Sequence, residues 1–431
     1  MARSIVLLGT LDTKGDQLEY LKQLVEKRGH EACVIDVGVI GPVPFTPTIS
    51  RQEVAHAGGS AIEEIIALNS PGAAMVQMAK GASEILKELY AKGRLDGFVA
   101  VGGSGGTSLA LAVLKAIPIR VPKLLITTVA YSAAITPDMV SGDNVMMLPW
   151  VAGLWGLNSI SKRVLEMAAG AISGAAELYD RTQTDAKKVV GVTSLGGSVT
   201  RYMNQLKPAL EERDYEVAVF HVTGMSGRMY ERAIADGLIN VSLDLSVGVE
   251  LLNRVTGGVC TAGEHRLEAA GKKGIPQIVS PGAIEAFHWG ADRPFPARYK
   301  SRPHHPHNAI LLTVMANPRE MGAVGKLMAE KLNSSTGPAA VVIPMKGFLT
   351  RPKAAPVPQS HAAREIAAFR ESLMDVSAPG LAAFRKALLK HVKPKVEVVE
   401  LDAGLNDPPY VETVLRLFDE MTGTTRGRSL P

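Results

Sequence analysis

Short apolar runs and amphipathic stretches alternate from the first residues of the chain. "SIVLLG" leads into "DQLEYLKQLVEKRG", which leads into "EACVIDVG". Runs without polar alternation suit strands buried on both faces of a parallel sheet, whereas apolar positions at i, i+3 and i+4 mark a helix with one buried stripe. Further strands are expected in "DGFVAVGG", "KLLITTVA" and "NVMMLP", and helices over Val54–Leu68, Gly72–Ala91, Thr107–Ala116 and Ser159–Leu178. The polar cluster "YDRTQTDAKK" then breaks the pattern, and the strand "VVGVTSLG" restarts it. Later strands are "INVSLDLS", "PQIVSP", "AILLTVM", "AAVVIPM" and "KVEVVEL", with closing helices Pro318–Leu332, Ala362–Met374 and Pro409–Met421. The Pro-rich stretches "RPFPARYKSRPHHPHN" and "RPKAAPVPQ" read as long loops. The expected fold is α/β: two Rossmann-like parallel-sheet domains with a cleft between them, over residues 1–183 and 184–425.

The second half opens like the first. "VLLGTLDTKGDQLEYLKQLVEKRGHEACVIDVG" and "VVGVTSLGGSVTRYMNQLKPALEERDYEVAVFHVTG" each run strand, Gly/Thr/Ser loop, helix, polar turn, strand. One βαβ unit is used twice, by duplication or by convergence.

Composition narrows the function classes. A chain of 431 residues exceeds one ordinary core. Its formal charge of +5 is a small excess without Lys/Arg blocks, which favours phosphate-bearing ligands over nucleic acid. The two cysteines, Cys33 and Cys260, are far apart and lack metal-ligand spacing, so they read as core thiols of a reducing compartment. "SIVLLGT" lacks the basic start and cleavage site of a signal peptide, and no run reaches the roughly 18 apolar residues of a membrane span. A cytoplasmic protein without a membrane partner is expected.

Two loops carry the candidate chemistry. "GTLDTKGD" lies where the first strand meets the first helix, and ligands of open α/β sheets bind beyond the carboxyl ends of strands. There Lys14 offers positive charge, Thr10 and Thr13 offer hydroxyls, and Asp12 could hold a metal ion or a sugar hydroxyl. The bland alternative makes Asp12 or Thr13 an ordinary helix N-cap. "GGSGGTS" opens a second helix; it matches neither the P-loop nor GxGxxG, yet consecutive glycines let several N–H groups turn towards one anion. Ser104, Thr107 and Ser108 add hydroxyls. A tight turn needing left-handed residues is the competing explanation, but four glycines exceed what one turn needs, so phosphate binding is favoured. "ITTVA" could line the same cleft or be plain strand.

The second half offers weaker signals. Gly224, Ser226, Gly227 and Arg228 of "HVTGMSGRM" could form another anion site, and "TSLGGSVT" corresponds to the first loop without its Lys and Asp. Glu285 and His288 of "SPGAIEAFHWG" could do general acid–base work, with surface polarity as the alternative; for Glu264 that alternative prevails. His304, His305 and His307 of "PHHPHN" could bind zinc or simply form a polar loop.

Taken in order, "GTLDTK", "VGGSGGTSLA", "IPIRVPKLLITTVA", "FHVTGMSGRMYERAIADG" and "HNAILLTVM" resemble, over nearly the whole chain, the family of the tomato mosaic virus resistance protein's ATP-binding domain. The resemblance implies two Rossmann-like subdomains, ATP and magnesium bound in the first, and a homodimer. It would place Thr10, Asp12, Thr13 and Lys14 around the ATP phosphates with Gly102, Gly103, Ser104, Gly105, Gly106 and Thr107; Thr127 and Thr128 would sit nearby, and Asp12 would hold magnesium. The second half departs from the family. "LDLSVGVELL" replaces a Thr-Thr-Thr-Glu stretch, with Glu250 at a shifted spacing, and "GAIEAFHWG" replaces "GALDMVNFG", so Asp becomes Glu285 and Asn becomes His288.

The expected function is therefore ATP binding with use of ATP and magnesium on a small polar metabolite, by phosphoryl transfer or ligation. Lys14 would stabilise phosphate charge, and Glu285, His288 and His307, with His221 and His305, would serve the substrate. Two rivals remain at this point: an ATP-independent hydrolase or lyase acting on a small anion, and a nucleotide-dependent binding or regulatory protein without turnover.

Overall fold

In the computed structural model, Ile5, Val6, Leu7 and Leu8 are each 0–1% exposed, so the first apolar run is buried on both faces, as a central parallel strand demands. The structure describes residues 2–140, 142–152, 156–181, 187–195, 201–348 and 377–424. The expected helix Ala362–Met374, the stretch "RPKAAPVPQ" and residues 196–200 of "TSLGGSVT" lie outside them. The chain forms two compact units, Met1–Thr184 and Asp185–Pro431.

The first unit holds β1 (Ser4–Gly9), β2 (Glu31–Asp36), β3 (Gly97–Gly102), β4 (Lys123–Thr127) and β5 (Val145–Pro149). They form one parallel sheet in the order β2-β1-β3-β4-β5. Helix α1 (Leu11–Lys27) buries Leu11, Leu18, Leu21 and Val25 on one stripe and covers one sheet face with the helix Ser159–Leu178. Each such side chain contributes roughly 1.5–3 kcal/mol by leaving water. The opposite face is covered by α2 (Arg51–Ala57), α3 (Ile62–Ala67), α4 (Pro71–Ala91) and α5 (Ser104–Leu114). The single helix expected over Val54–Leu68 is thus two. Ser50 and Glu53 form a capping box that starts α2, and Gly58 and Gly59 end it before a second box-like turn at Glu64 starts α3.

The second unit repeats the winding. Strands β6 (Lys188–Ser194), β7 (Tyr215–His221), β8 (Val241–Asp244), β9 (Gln277–Val279), β13 (Ala339–Pro344) and β14 (Glu397–Leu401) make a six-stranded parallel sheet in the order β14-β13-β9-β8-β6-β7. Counted from its own first strand, this order matches that of the first unit, in keeping with the repeated βαβ pattern. Between β9 and β13 the chain inserts β10 (Ala286–Gly290), β11 (His304–Pro306) and β12 (Leu311–Met315), an antiparallel sheet in the order β10-β12-β11. "AILLTVM" is therefore a strand outside the parallel sheet, and "PHHPHN", expected as loop, contributes β11.

The centre of the second unit is ionic. Arg266, 1% exposed, reaches Asp244 at the end of β8 (Nη2 to Oδ1, 2.8 Å), Glu250 (Nε to Oε2, 2.6 Å) and Glu231 (Nη1 to Oε1, 3.0 Å). Asp244 also accepts from Thr193 Oγ1 at 2.7 Å. One guanidinium so ties β8, β6 and the helices Met225–Ala235 and Gly248–Thr256 together. Removing it leaves carboxylates buried without a counter-charge, which typically costs 3–5 kcal/mol. Arg266→Met is expected to lower the stability of the second unit by about that amount, read as a fall in its urea midpoint. An unchanged midpoint would show that the carboxylates do not need the arginine.

Candidate functional site

The order β2-β1-β3-β4-β5 reverses direction between β1 and β3, and the crevice outside the carboxyl ends of strands at such a reversal is where open α/β sheets take ligands. β1 ends at Gly9 and β3 at Gly102, so the two loops singled out in the sequence flank this point. A cavity of about 310 Å³ opens there. Thr10, Asp12, Thr13 and Gly106 form its polar end. Val37–Ile40 after β2, Ile65 and Ile66 of α3, Asn69 to Pro71, Ala74 and Met75 of α4, and Leu109 of α5 form largely apolar walls.

The glycine loop is not a left-handed turn. None of Gly102, Gly103, Gly105 and Gly106 has positive φ, and α5 already begins at Ser104, three residues earlier than the sequence pattern placed it. Close packing explains Gly102: a Cβ there would lie 2.8 Å from Gly106 Cα and 3.1 Å from Thr107 N. At Gly105 it would meet only the flexible end of Met75, at 3.1 Å. At Gly103 and Gly106 the nearest atoms would be 3.9 and 3.8 Å away, so the protein's own contacts do not demand glycine there. The N-cap, Gly103, has no side chain to accept from the first-turn N–H groups, and no side-chain cap is made. Ser104 stands exposed beside them.

Other candidate groups are engaged within the protein. Thr107 Oγ1 and Thr127 Oγ1 are buried and bonded to each other at 2.5 Å, and Thr127 also accepts from Val129 N–H. They pin α5 to β4 rather than line the cavity. Thr128 is exposed, on the Gly103 side. Thr10 and Thr13 share a 2.6 Å hydroxyl bond at the rim. Lys14, 7% exposed, donates to the Thr13 carbonyl at 3.2 Å and sits at a kink in α1, with φ −127° and ψ 18°. Burial lowers its pKa, against the pull of Asp12. Asp12 Oδ1 is buried without a hydrogen-bond partner, and burial raises its pKa, opposed by Arg51 and assisted by Asp36.

Two residues were not singled out in the sequence. Asp36, at the end of β2, accepts from Leu11 N–H (3.0 Å) and Gly38 N–H (2.9 Å) with Oδ1, and pairs through Oδ2 with Arg51 Nε at 2.8 Å. An aspartate closing a strand was visible as a signal; an arginine fifteen residues later, in a short helix, was not.

In the second unit the expected sites come apart. Gly224 N–H donates to Glu250 Oε1 at 2.8 Å, and a Cβ on Gly227 would lie 2.2 Å from Glu250 Oε2. The anion of the "HVTGMSGRM" loop is thus the chain's own carboxylate. Glu285 and His288 do not form a pair. Glu285 continues the β10 ladder, its carbonyl accepting from Ala316 N–H, so the pleat puts residues three apart on opposite faces. Glu285 is buried and accepts from Ser377 Oγ at 3.4 Å; burial pushes its pKa up to about 7. His288 shares the other face with Thr313, its direct cross-strand neighbour on β12, and with His305 of β11, which pairs with Thr313 from the far side. His307 stacks edge-on against His288 with centroids 5.7 Å apart. Burial, and then His307, His305 and His221, hold the His288 pKa down to about 4. His304 falls on the opposite face from His305, by Phe295. Among the described residues no three His, Cys, Asp or Glu side chains converge to hold a metal ion, and the expected histidine triad is split by the pleat. Nor, among them, is any helix long and apolar enough to cross a membrane.

Comparison with known proteins agrees with the sequence resemblance. The N-terminal domain of the Uncharacterised protein family (UPF0261) matches residues 3–181, and its C-terminal domain matches residues 187–422. A UPF0261 protein of Brucella suis is 36% identical, covering 96% of this chain and 94% of its own length. One from Clostridium tetani is 38% identical, over 80% of this chain and 85% of its own. The ToMV susceptible protein tm-1(GCR26) of Solanum lycopersicum is 28% identical over 80% of this chain, which spans 48% of the tomato protein. The chain belongs to the UPF0261 family.

The buried Glu285 gives a pH signature. Its folded pKa of about 7 lies above the ordinary carboxyl value of 4.5, so the folded state holds the proton more tightly. Its contribution is fully favourable below about pH 4.5 and is lost as pH rises through 7, at a cost of about 3 kcal/mol. Glu285→Gln keeps the acceptor for Ser377 and is expected to remove this slope, making the variant the more stable protein at pH 8. Parallel stability profiles for the two proteins between pH 5 and 8 would place the titration elsewhere.

Proposed function

We propose that the amino-terminal unit binds ATP at the β1/β3 reversal, with the phosphates against the first turn of α5 and the base in the apolar slot between α3, α4 and α5. The observation that carries this reading is the pair Gly103 and Gly106: neither backbone conformation nor crowding calls for glycine, and both stand at an uncapped helix start. A helix start with free N–H groups attracts anions, and a missing side chain lets a phosphate reach the backbone. Apolar walls of Val39, Ile40, Ile65, Ile66 and Met75 suit a base and would add little for a bare inorganic anion. Phosphoryl-transfer or ligation chemistry would fall to Lys14, whose buried ammonium stands one residue from Thr13 at the cavity rim.

Magnesium does not fit Asp12 well. Its free oxygen and an Arg51 nitrogen both close on Gly38, so a divalent ion on Asp12 would stand beside a guanidinium. Asp12 is also the single carboxylate of the cavity lining.

Calorimetric titration of the full chain with ATP, ADP and inorganic phosphate tests the reading. Saturable ATP binding is expected, with Gly106→Ala weakening it about tenfold or more while the melting temperature stays within a few degrees, since a Cβ there has room in the fold. Gly102→Ala is expected to destabilise by about 1–3 kcal/mol, because its Cβ strikes backbone. Phosphate binding as tight as ATP binding would favour the small-anion rival, and no ATP binding would remove the nucleotide reading.

A further inference from the structure

Asn69 lines the cavity where α3 gives way to α4. It follows the last residue of the α3 end, Leu68, and its φ of +45° lies in the left-handed region. Its N–H donates to the Ile66 carbonyl at 3.1 Å. Glycine or asparagine is usual at such a helix end, and glycine takes the conformation at less cost. The carboxamide is surplus to the turn. It stands exposed at the cavity and makes no hydrogen bond among the described residues. The next two residues have nothing comparable to offer. Ser70 Oγ caps α4, accepting from Ala73 N–H at 3.4 Å, and Pro71 has no N–H.

The cavity sets this amide apart from the glycine loop. A Cβ on Gly105 would lie 3.1 Å from Met75 Sδ, so α4 passes the start of α5 at Met75. From Met75 back to Pro71 is about 6 Å of helix, and Asn69 lies beyond it. Ile65 and Ile66 of α3 belong to the same lining. A ligand with its phosphates at α5 and a flat ring on these apolar side chains turns the far edge of that ring towards Asn69.

A carboxamide presents a donor and an acceptor side by side. Adenine carries the complement, a 6-amino donor beside a ring-nitrogen acceptor, and asparagine pairs with that pattern through two bonds. We infer that Asn69 is the base-reading residue of the site, accepting from the 6-amino group of the nucleotide and donating to the adjacent ring nitrogen. This rests on the nucleotide reading above. The amide can turn over to serve guanine as well, so the informative analogue is one that lacks the 6-substituent.

The test compares ATP with purine riboside 5′-triphosphate, which is ATP without the 6-amino group, by calorimetry on the full chain. The wild type is expected to bind the analogue about three- to tenfold more weakly, the worth of one uncharged hydrogen bond. Asn69→Gly keeps the left-handed turn, so its melting temperature is expected to stay within a few degrees while the two affinities become equal. Asn69→Asp, nearly the same shape, sets an anion against the ring nitrogen and is expected to weaken ATP by a similar factor. Equal affinities in the wild type would overturn the base-reading role and leave the nucleotide reading standing. A preference that survives in Asn69→Gly, or full ATP affinity in Asn69→Asp, would overturn the assignment to Asn69. No ATP binding by the wild type would overturn both readings.

Discussion

The carboxylate of Asp36 holds the cavity-facing edge of the first unit in place. It sits at the end of β2 with 1% of its surface exposed and accepts from the backbone at the start of α1, from the loop after β2, and from Arg51 of α2. The backbone at Leu11, the loop at Gly38 and Arg51 of α2 are thereby fixed to one point. Those segments supply Thr10 to Thr13 and Val37 to Ile40, which form two sides of the cavity. A buried pair of this kind is weak evidence of net stability, since desolvation offsets its attraction. Its value is positional, because an ion pair with three directed bonds tolerates little displacement of the loops it joins.

The second unit winds its sheet in the same order and resolves the same edge differently. Its reversal lies between β6 and β8, and there Arg266 draws Asp244, Glu250 and Glu231 into one network. Glu250 goes further and fills the start of the helix Met225–Ala235 through Gly224. That helix end is satisfied from within, while in the first unit the start of α5 is capped by a glycine. The two units therefore differ: one has a helix start that closes on the chain's own carboxylate, and the other has a glycine-capped helix start beside a cavity.

Much of this was legible in the pattern of apolar residues, and the failures have physical causes. The helices Ser159–Leu178 and Pro318–Leu332 stand as their periodicity and their Asn caps dictate. Strand β11 was missed because "HHP" carries no apolar alternation; its pairing comes wholly from β12 beside it. Glu285 and His288 are close in sequence but not paired in space, because a strand sends residues three apart to opposite faces. Arg51 was invisible because its role depends on a partner across a loop, which no local spacing records. The glycines were legible as a cluster, but their meaning was not. Only the space around each separates Gly102, needed for helix–strand packing, from Gly103 and Gly106, which nothing in the fold requires.

Unsatisfied groups sharpen the same distinction. A buried donor or acceptor without a partner costs about 1–3 kcal/mol, so a fold that strands two of them side by side gives up stability at that spot. Arg51 Nη2 and Asp12 Oδ1 are two such atoms, both close to Gly38 with Asp36 Oδ1. Arg266, with every branch of its guanidinium bonded, shows that this fold can satisfy a buried arginine from its own carboxylates. Asp36 goes only part of the way for Arg51. Where unpaired buried groups stand beside a concave, half-polar cavity, function is expected to have displaced stability.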